Sequence, residues 1–138
     1  MVAVLSLVAV VALVLLGWDL YRRFGSDRIA KLMERRRKTS RFVSRGSFVD
    51  GNRTLDVVLA VDQSTLFYEN RDMAASIDLQ WLREVEYDTK LATGAAIASG
   101  KVLRVRSNSQ TFEFVLPDDV VARWHTMLPR RSAEARAV

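Results

Sequence analysis

His125 is the single histidine of a chain that has no cysteine, and these two facts bound its chemistry. One imidazole without thiolates cannot assemble a zinc site. Disulfides and thiol catalysis are excluded outright. As a general base His125 would need a nucleophile and an orienting partner, and no such motif accompanies it. On a helix it would sit about 100° from Trp124, toward solvent. Asp118 and Asp119 are adjacent carboxylates, but capping of a following helix accounts for both. Glu84, Glu86 and Asp88 alternate with Val85 and Tyr87, which predicts a solvated strand face; an acidic patch for a basic partner is the other reading. Gly94 and Gly100 lack the spacing of a phosphate-cradling loop. The sequence therefore predicts no enzyme, with no catalytic, cofactor-binding or metal residue.

The cations offer binding chemistry instead. Residues 19–45 carry ten Lys/Arg and three Asp/Glu, whereas residues 46–138 carry eleven and thirteen. The high pI thus belongs to one segment and not to the rest of the chain, which argues against a nucleic-acid-binding face. Arg22, Arg23, Arg35, Arg36, Arg37, Lys38, Arg41, Arg45 and Arg53 are candidate contacts to anionic lipid head groups. Each is worth roughly 1 kcal/mol near such a surface. The plainer reading is a solvated neck that sets topology. Nucleic-acid binding by the run 35–38 would be unspecific and salt-sensitive.

The elements that carry these residues follow from hydropathy. A mean hydropathy of +0.02 averages two unlike parts. Residues 2–16 contain one polar residue, Ser6, and no charge. Residues 1–18 read as a transmembrane helix at the low end of spanning length, closed by Trp18, Tyr21, Arg22 and Arg23 as an interfacial belt. A cleaved signal peptide would want a preceding charge and a small-residue site, and neither is present. The positive-inside rule then places the N-terminus outside and the C-terminal domain in the cytoplasm. Residues 19–40 continue as a basic juxtamembrane helix or neck. One stripe contains Leu20, Phe24 and Arg28, and another contains Ile29, Leu32 and Met33.

From residue 41 the pattern alternates. Leu55, Val57, Leu59 and Val61 share one strand face, with Asp56, Val58, Ala60 and Asp62 on the other. Further strands are expected at 42–49, 65–68, 75–79, 82–87, 102–106 and 111–116, with Ile77, Leu79, Val85 and Tyr87 in the core. Turns are expected at 50–52, 62–64, 69–72 and 107–110. Asp118 and Asp119 start a closing helix in which Val120, Val121, Trp124, Met127 and Leu128 recur at helical spacing, and Pro129 stops it. Trp124 is its structural anchor. Residues 129–138 read as a disordered tail.

Seven short antiparallel strands and a closing helix over 41–128 resemble the pleckstrin-homology-like superfamily, including its GRAM-type and bacterial members. The resemblance rests on Leu59-Ala60-Val61 through Leu66-Phe67-Tyr68, on Ile77-Asp78-Leu79 with Leu82 and Val85, and on Phe112-Glu113-Phe114 followed by Trp124. It implies an α+β, mostly β fold: an N-terminal transmembrane helix, a neck, then a seven-stranded antiparallel, partly open barrel capped by one C-terminal helix. Members often bind phosphoinositides around the first hairpin. Here that hairpin mixes Arg41, Arg45 and Arg53 with Asp50 and Asp56, which fits a protein-interaction module better.

Leu91 and Ile97 sit in an apolar loop at 91–99 that either packs on the barrel or meets a membrane or partner. The sequence as a whole predicts a single-pass, non-enzymatic adaptor at the cytoplasmic membrane face. It would hold the bilayer through its N-terminal helix and bind a protein of unknown identity. The alternative is an anionic-lipid-sensing module that uses the neck and first hairpin. No cofactor and no specific nucleic acid is expected.

Overall fold

A computed structural model describes residues 2–108 and 110–132, leaving aside the side chains of residues 2–6 and 24–26. Helix α1 spans Val2–Arg37. At 1.5 Å per residue its 36 residues extend about 54 Å. Its last turn carries Arg35, Arg36 and Arg37, whose charge suits the negative end of the helix dipole. It ends where Thr39 and Ser40 both donate backbone N–H bonds to the Arg36 carbonyl, at 3.1 and 2.8 Å.

Seven strands follow among the described residues: β1 Phe42–Asp50, β2 Arg53–Val61, β3 Thr65–Glu69, β4 Ala74–Asp78, β5 Leu82–Asp88, β6 Lys101–Ser107 and β7 Gln110–Leu116. They form one antiparallel sheet of order β4-β3-β2-β1-β7-β6-β5. The sheet is open, with β4 and β5 as its edges, so the expected partly open barrel is corrected to an open sheet. A 3-10 turn at Asp118–Val120 leads into α2, Val121–Met127. No side-chain hydrogen bond caps either element, so the capping role expected of Asp118 and Asp119 is not made.

One face of the sheet holds the core. Val57, Leu59, Val61, Leu66, Tyr68, Ile77, Leu82, Val85, Tyr87, Leu103, Val105, Phe114 and Leu116 pack there with Trp124 and Leu128 from the closing segment. A seven-residue helix is marginal alone. Its position is fixed by Trp124, which is fully buried and donates its indole N–H to Ser44 Oγ at 2.8 Å. Phe42 meets the same ring edge-on, at 5.2 Å between centroids.

Strand β2 is buried on both faces. Val58 and Ala60 point away from the main core, yet each is 0% exposed. Helix α1 packs on β1 and β2, with Ile29, Leu32, Met33 and Arg36 partly buried at helical spacing. The C-terminal third of α1 is therefore part of the folded domain and not a free neck.

The N-terminal part of α1 corrects a second expectation. Among the described residues no helix is long and apolar enough to cross a membrane. After Trp18 the apolar stretch gives way to Asp19, Arg22 and Arg23, and the described helix is not apolar over a spanning length. This finding overturns the single-pass helix at 1–18 and the orientation derived from it. The stripe through Phe24 lies partly outside the described side chains.

Two shorter segments also bear on the expectations. Asn108 takes a positive φ of 52° between β6 and β7, which Asn tolerates better than most residues; Ser109 of that expected turn lies outside the described residues. In the tail expected from residue 129, Arg131 pairs with Val85 through two backbone hydrogen bonds of 2.9 and 3.0 Å. Residues 133–138 of that tail lie outside the described residues.

Candidate binding surface

Register decides which β1 and β2 side chains face α1. Arg45 pairs with Val58, Val43 with Ala60 and Ser47 with Asp56. Paired residues share a face, so Arg45 and Asp56 lie on the side that α1 covers. Their neighbours Ser44, Gly46 and Val57 turn toward the core. At one end of this interface, Arg36 of α1 donates from Nε to Glu69 Oε1 at 2.6 Å and from Nη2 to Oε2 at 3.2 Å. The guanidinium also covers the Phe67 ring, 4.1 Å from its centroid. The hydrogen bonds that Arg36 donates to Glu69 raise its pKa against the opposing effect of burial.

Further along α1 the interface opens into a cleft of about 770 Å³. Tyr21, Arg22, Arg28 and Ile29 line it from the helix, and Arg45, Gly46, Asp56 and Val57 from the sheet. The β3–β4 turn supplies Asn70, Arg71 and Asp72. That turn is held in place by Asn70, whose Oδ1 accepts from the backbone N–H groups of Asp72 and Met73 at 2.8 and 3.0 Å. Its Nδ2 donates to the Asp56 carbonyl at 3.2 Å. Four arginines and two aspartates thus face one space, a net of +2. Among the described residues none of these four arginines forms an ion pair.

The other expected cations are dispersed. Arg23 pairs with Asp19 at 3.1 Å, Arg37 with Glu34 at 2.9 Å and Arg53 with Asp50 at 3.4 Å, all at the surface. Such pairs contribute little. Arg35, Lys38 and Arg41 are exposed. Of the nine cations named from the sequence, the cleft brings together only Arg22 and Arg45. It adds Arg28 and Arg71, which sequence reasoning missed. Arg28 was visible on a helix stripe, but no spacing rule could bring Arg71 to it across more than forty residues.

On the opposite half of the sheet a second charged group has a structural task. Arg104 of β6 reaches Glu86 and Asp88 of β5 at 3.2 and 3.3 Å and Glu113 of β7 at 3.2 Å. It also donates to the Lys90 carbonyl at 3.0 Å. Burial works against its charge, but hydrogen bonds to Glu113, Asp88 and Glu86 outweigh that and its pKa rises. Arg106 pairs with Glu84 at 3.8 Å. The acidic row Glu84, Glu86 and Asp88 is therefore neutralised by arginines.

The same network secures the loop that follows. Asp88 Oδ1 accepts from the N–H groups of Thr89 and Lys90 at 2.6 and 3.3 Å, and Glu113 accepts from Ala92 N–H at 2.9 Å. Leu91 accepts from Gly94 N–H and donates to the Ala95 carbonyl, and both Leu91 and Ile97 are partly buried.

His125 lies on α2, exposed to solvent, with its ring stacked on Tyr87 at 3.7 Å. The Tyr87 hydroxyl donates to the Leu128 carbonyl at 2.7 Å, and burial pushes its pKa well up. Both rings serve the packing of α2.

The remaining surface feature is apolar. Leu7, Val8, Val10, Val11, Leu13 and Val14 are exposed side by side on α1, and Leu15, Leu16, Trp18, Leu20 and Tyr21 continue the run. They point in all directions around the helix axis, from 50% exposed at Leu20 to 75% at Tyr21. No protein-family model, curated protein or solved structure matches the chain.

Proposed function

We propose that the protein is a non-enzymatic interaction module that associates with an anionic lipid surface through α1 and carries a pleckstrin-homology-like β domain there. The single observation behind this is the exposed apolar run of α1 from Leu7, on a helix whose other end is built into the sheet. A helix apolar on every side belongs in an apolar environment. The acyl region of a single leaflet is such an environment, and entering it takes no spanning length. The arginines that follow at 22, 23 and 28 suit an anionic interface.

The pleckstrin-homology-like reading is supported by the order of seven antiparallel strands and a closing helix. A protein-binding role is supported by the sheet edges. Arg131 covers part of β5, while β4 is the other edge, where an extended peptide could add as a further strand.

Flotation of the full chain with vesicles of phosphatidylcholine, with and without phosphatidylglycerol, tests the lipid reading. The wild type is expected to float with both and more completely with the anionic ones. Leu13→Lys with Leu16→Lys, at exposed positions, is expected to remain below. Equal flotation of the wild type and this variant would overturn the reading.

A further inference from the structure

The two edges of the sheet are protected unequally. Edge β5 carries Arg83, Glu84, Glu86 and Asp88, its register shifts between Leu82 and Glu84, and Arg131 pairs with Val85 along it. Charge, a bulge and a covering segment are the usual means by which an edge is closed to other strands. Among the described residues β4 has none of these except the single charge of Asp78 at its end. Its sequence is Ala-Ala-Ser-Ile-Asp, paired with β3 residue for residue.

Register identifies the free groups of that edge. Asn70 N–H donates to the Met73 carbonyl at 2.8 Å, and Leu79 N–H to the Ser64 carbonyl at 2.9 Å. Alternation along an antiparallel ladder then gives the backbone groups of Ala75 and Ile77 to β3. It turns the N–H and C=O groups of Ala74, Ser76 and Asp78 outward. All three residues are exposed, and the side chains of Ala74 and Ser76 are too small to hold another strand away. Such a row of donors and acceptors is a template for a further strand.

The strand is also self-complementary about Ser76. In an antiparallel pair of two β4 strands, Ser76 lies opposite the partner's Ser76 and Ala74 opposite the partner's Asp78. Every outward N–H then meets an outward C=O, and no like charges face each other. In the same register Arg71 approaches the partner's Trp81. Arg71 is exposed and has no ion pair among the described residues, and Trp81 is exposed on the 3-10 turn after β4. A guanidinium over an indole face is a favourable cation–aromatic contact. The two-fold axis of such a pair is normal to the sheet, so α1 of both copies lies on the same face. Both apolar runs can then meet one surface.

We propose that β4 pairs antiparallel with β4 of a second copy of this chain, joining two seven-stranded sheets into one across Ser76. This deepens the protein-binding reading of the β4 edge and rests on it, while lipid association by α1 is not needed for it.

Sedimentation equilibrium of the full chain in neutral detergent tests the pairing in the wild type, in Ser76→Pro, and in Leu13→Lys with Leu16→Lys. Proline at 76 removes an N–H that β3 does not use, so β4 keeps its place. A concentration-dependent dimer is expected in the wild type and in the lysine variant. In Ser76→Pro its dissociation constant should rise about thirty-fold, because two hydrogen bonds across the axis are lost. The chain has no cysteine, so single cysteines report the register. Ser76→Cys should cross-link to itself on oxidation. Ala74→Cys, whose two copies lie about 14 Å apart in this register, should not. Equal cross-linking of the two would overturn the register. A dimer lost in the lysine variant and kept in Ser76→Pro would place the contact on α1 and overturn the pairing. A monomer at every concentration would overturn it as well. Titration of that monomer with a synthetic peptide of residues 73–79, followed by the β4 amide resonances, then separates the causes. Addition of the peptide would leave the edge reading standing with another partner, and no addition would overturn both.

Discussion

Arg36 and Glu69 lie 33 positions apart in sequence, yet they meet through two hydrogen bonds, the shorter at 2.6 Å. The Glu69 side chain is 10% exposed and the Arg36 side chain 25%. Their contact fastens α1 to β3 at the point where the helix ends. A chain expected to have a free basic neck instead has a helix locked to its sheet.

The two halves of this pair should respond unequally to substitution. Arg36→Ala leaves a nearly buried carboxylate without its partner and removes the cover from Phe67, so a loss of about 2–3 kcal/mol is expected. Glu69→Gln should cost about 1 kcal/mol, because the more exposed guanidinium can turn to water. Urea unfolding of both single variants and the double variant checks this. A double variant no worse than Arg36→Ala indicates the coupling described.

The closing helix depends on one indole. Trp124→Ala should cost about 3–5 kcal/mol by emptying the centre of the core. Ser44→Ala leaves the indole N–H without its acceptor and should cost about 1–3 kcal/mol. Thermal unfolding followed by near-ultraviolet circular dichroism reports both. The indole signal should be altered by Ser44→Ala even at temperatures where the variant is folded.

Two left-handed glycines provide a steric comparison. Gly51 and Gly100 have φ of 59° and 84°. A Cβ at Gly51 would meet nothing within 4 Å, whereas at Gly100 it would collide with the Leu116 carbonyl oxygen. Gly51→Ala should cost about 1 kcal/mol, the ordinary penalty of that conformation. Gly100→Ala should cost distinctly more, because backbone must move, and a comparison of midpoint urea concentrations would show it.

Asp88 should give the fold an acid-sensitive component. Backbone hydrogen bonds from Thr89 and Lys90, joined by Arg104, lower its pKa from 3.8. A depressed folded-state pKa adds stability that is complete well above 3.8 and fades as pH falls through the lower folded value. Asp88→Asn should therefore lower the melting temperature at neutral pH and narrow its gap to the wild type as the medium is acidified below that point. A gap that is constant with pH would show that Asp88 acts through packing alone.

The strands were legible because their apolar residues alternate or run together, and local turns such as Asp50-Gly51-Asn52 separate them. Alternation put Val58 and Ala60 on the face of Asp56 and Asp62 but did not show that α1 covers that face. The continuous run of residues 57–61 was a signal of a strand covered on both sides. The partner stripe Ile29, Leu32 and Met33 was also visible, but nothing in it named the strand it would meet. The arginine cleft was still less legible. It depends on β1–β2 register and on the placement of the β3–β4 turn, both of which arise only from tertiary pairing. Asp118 and Asp119 were misread because a 3-10 turn after Pro117 presents different N–H groups from those of an α-helical first turn.

The central claim is that the exposed apolar part of α1 enters an acyl environment. Trp18 reports on it directly, since it is 63% exposed, while Trp124 is buried and Trp81 can be replaced by Phe. Fluorescence of Trp81→Phe should be recorded with phosphatidylglycerol-containing vesicles whose acyl chains are brominated. The account predicts a blue shift of the Trp18 emission and strong quenching by the bromines, both lost in Leu13→Lys with Leu16→Lys. Unshifted, unquenched Trp18 emission in the presence of those vesicles would contradict it.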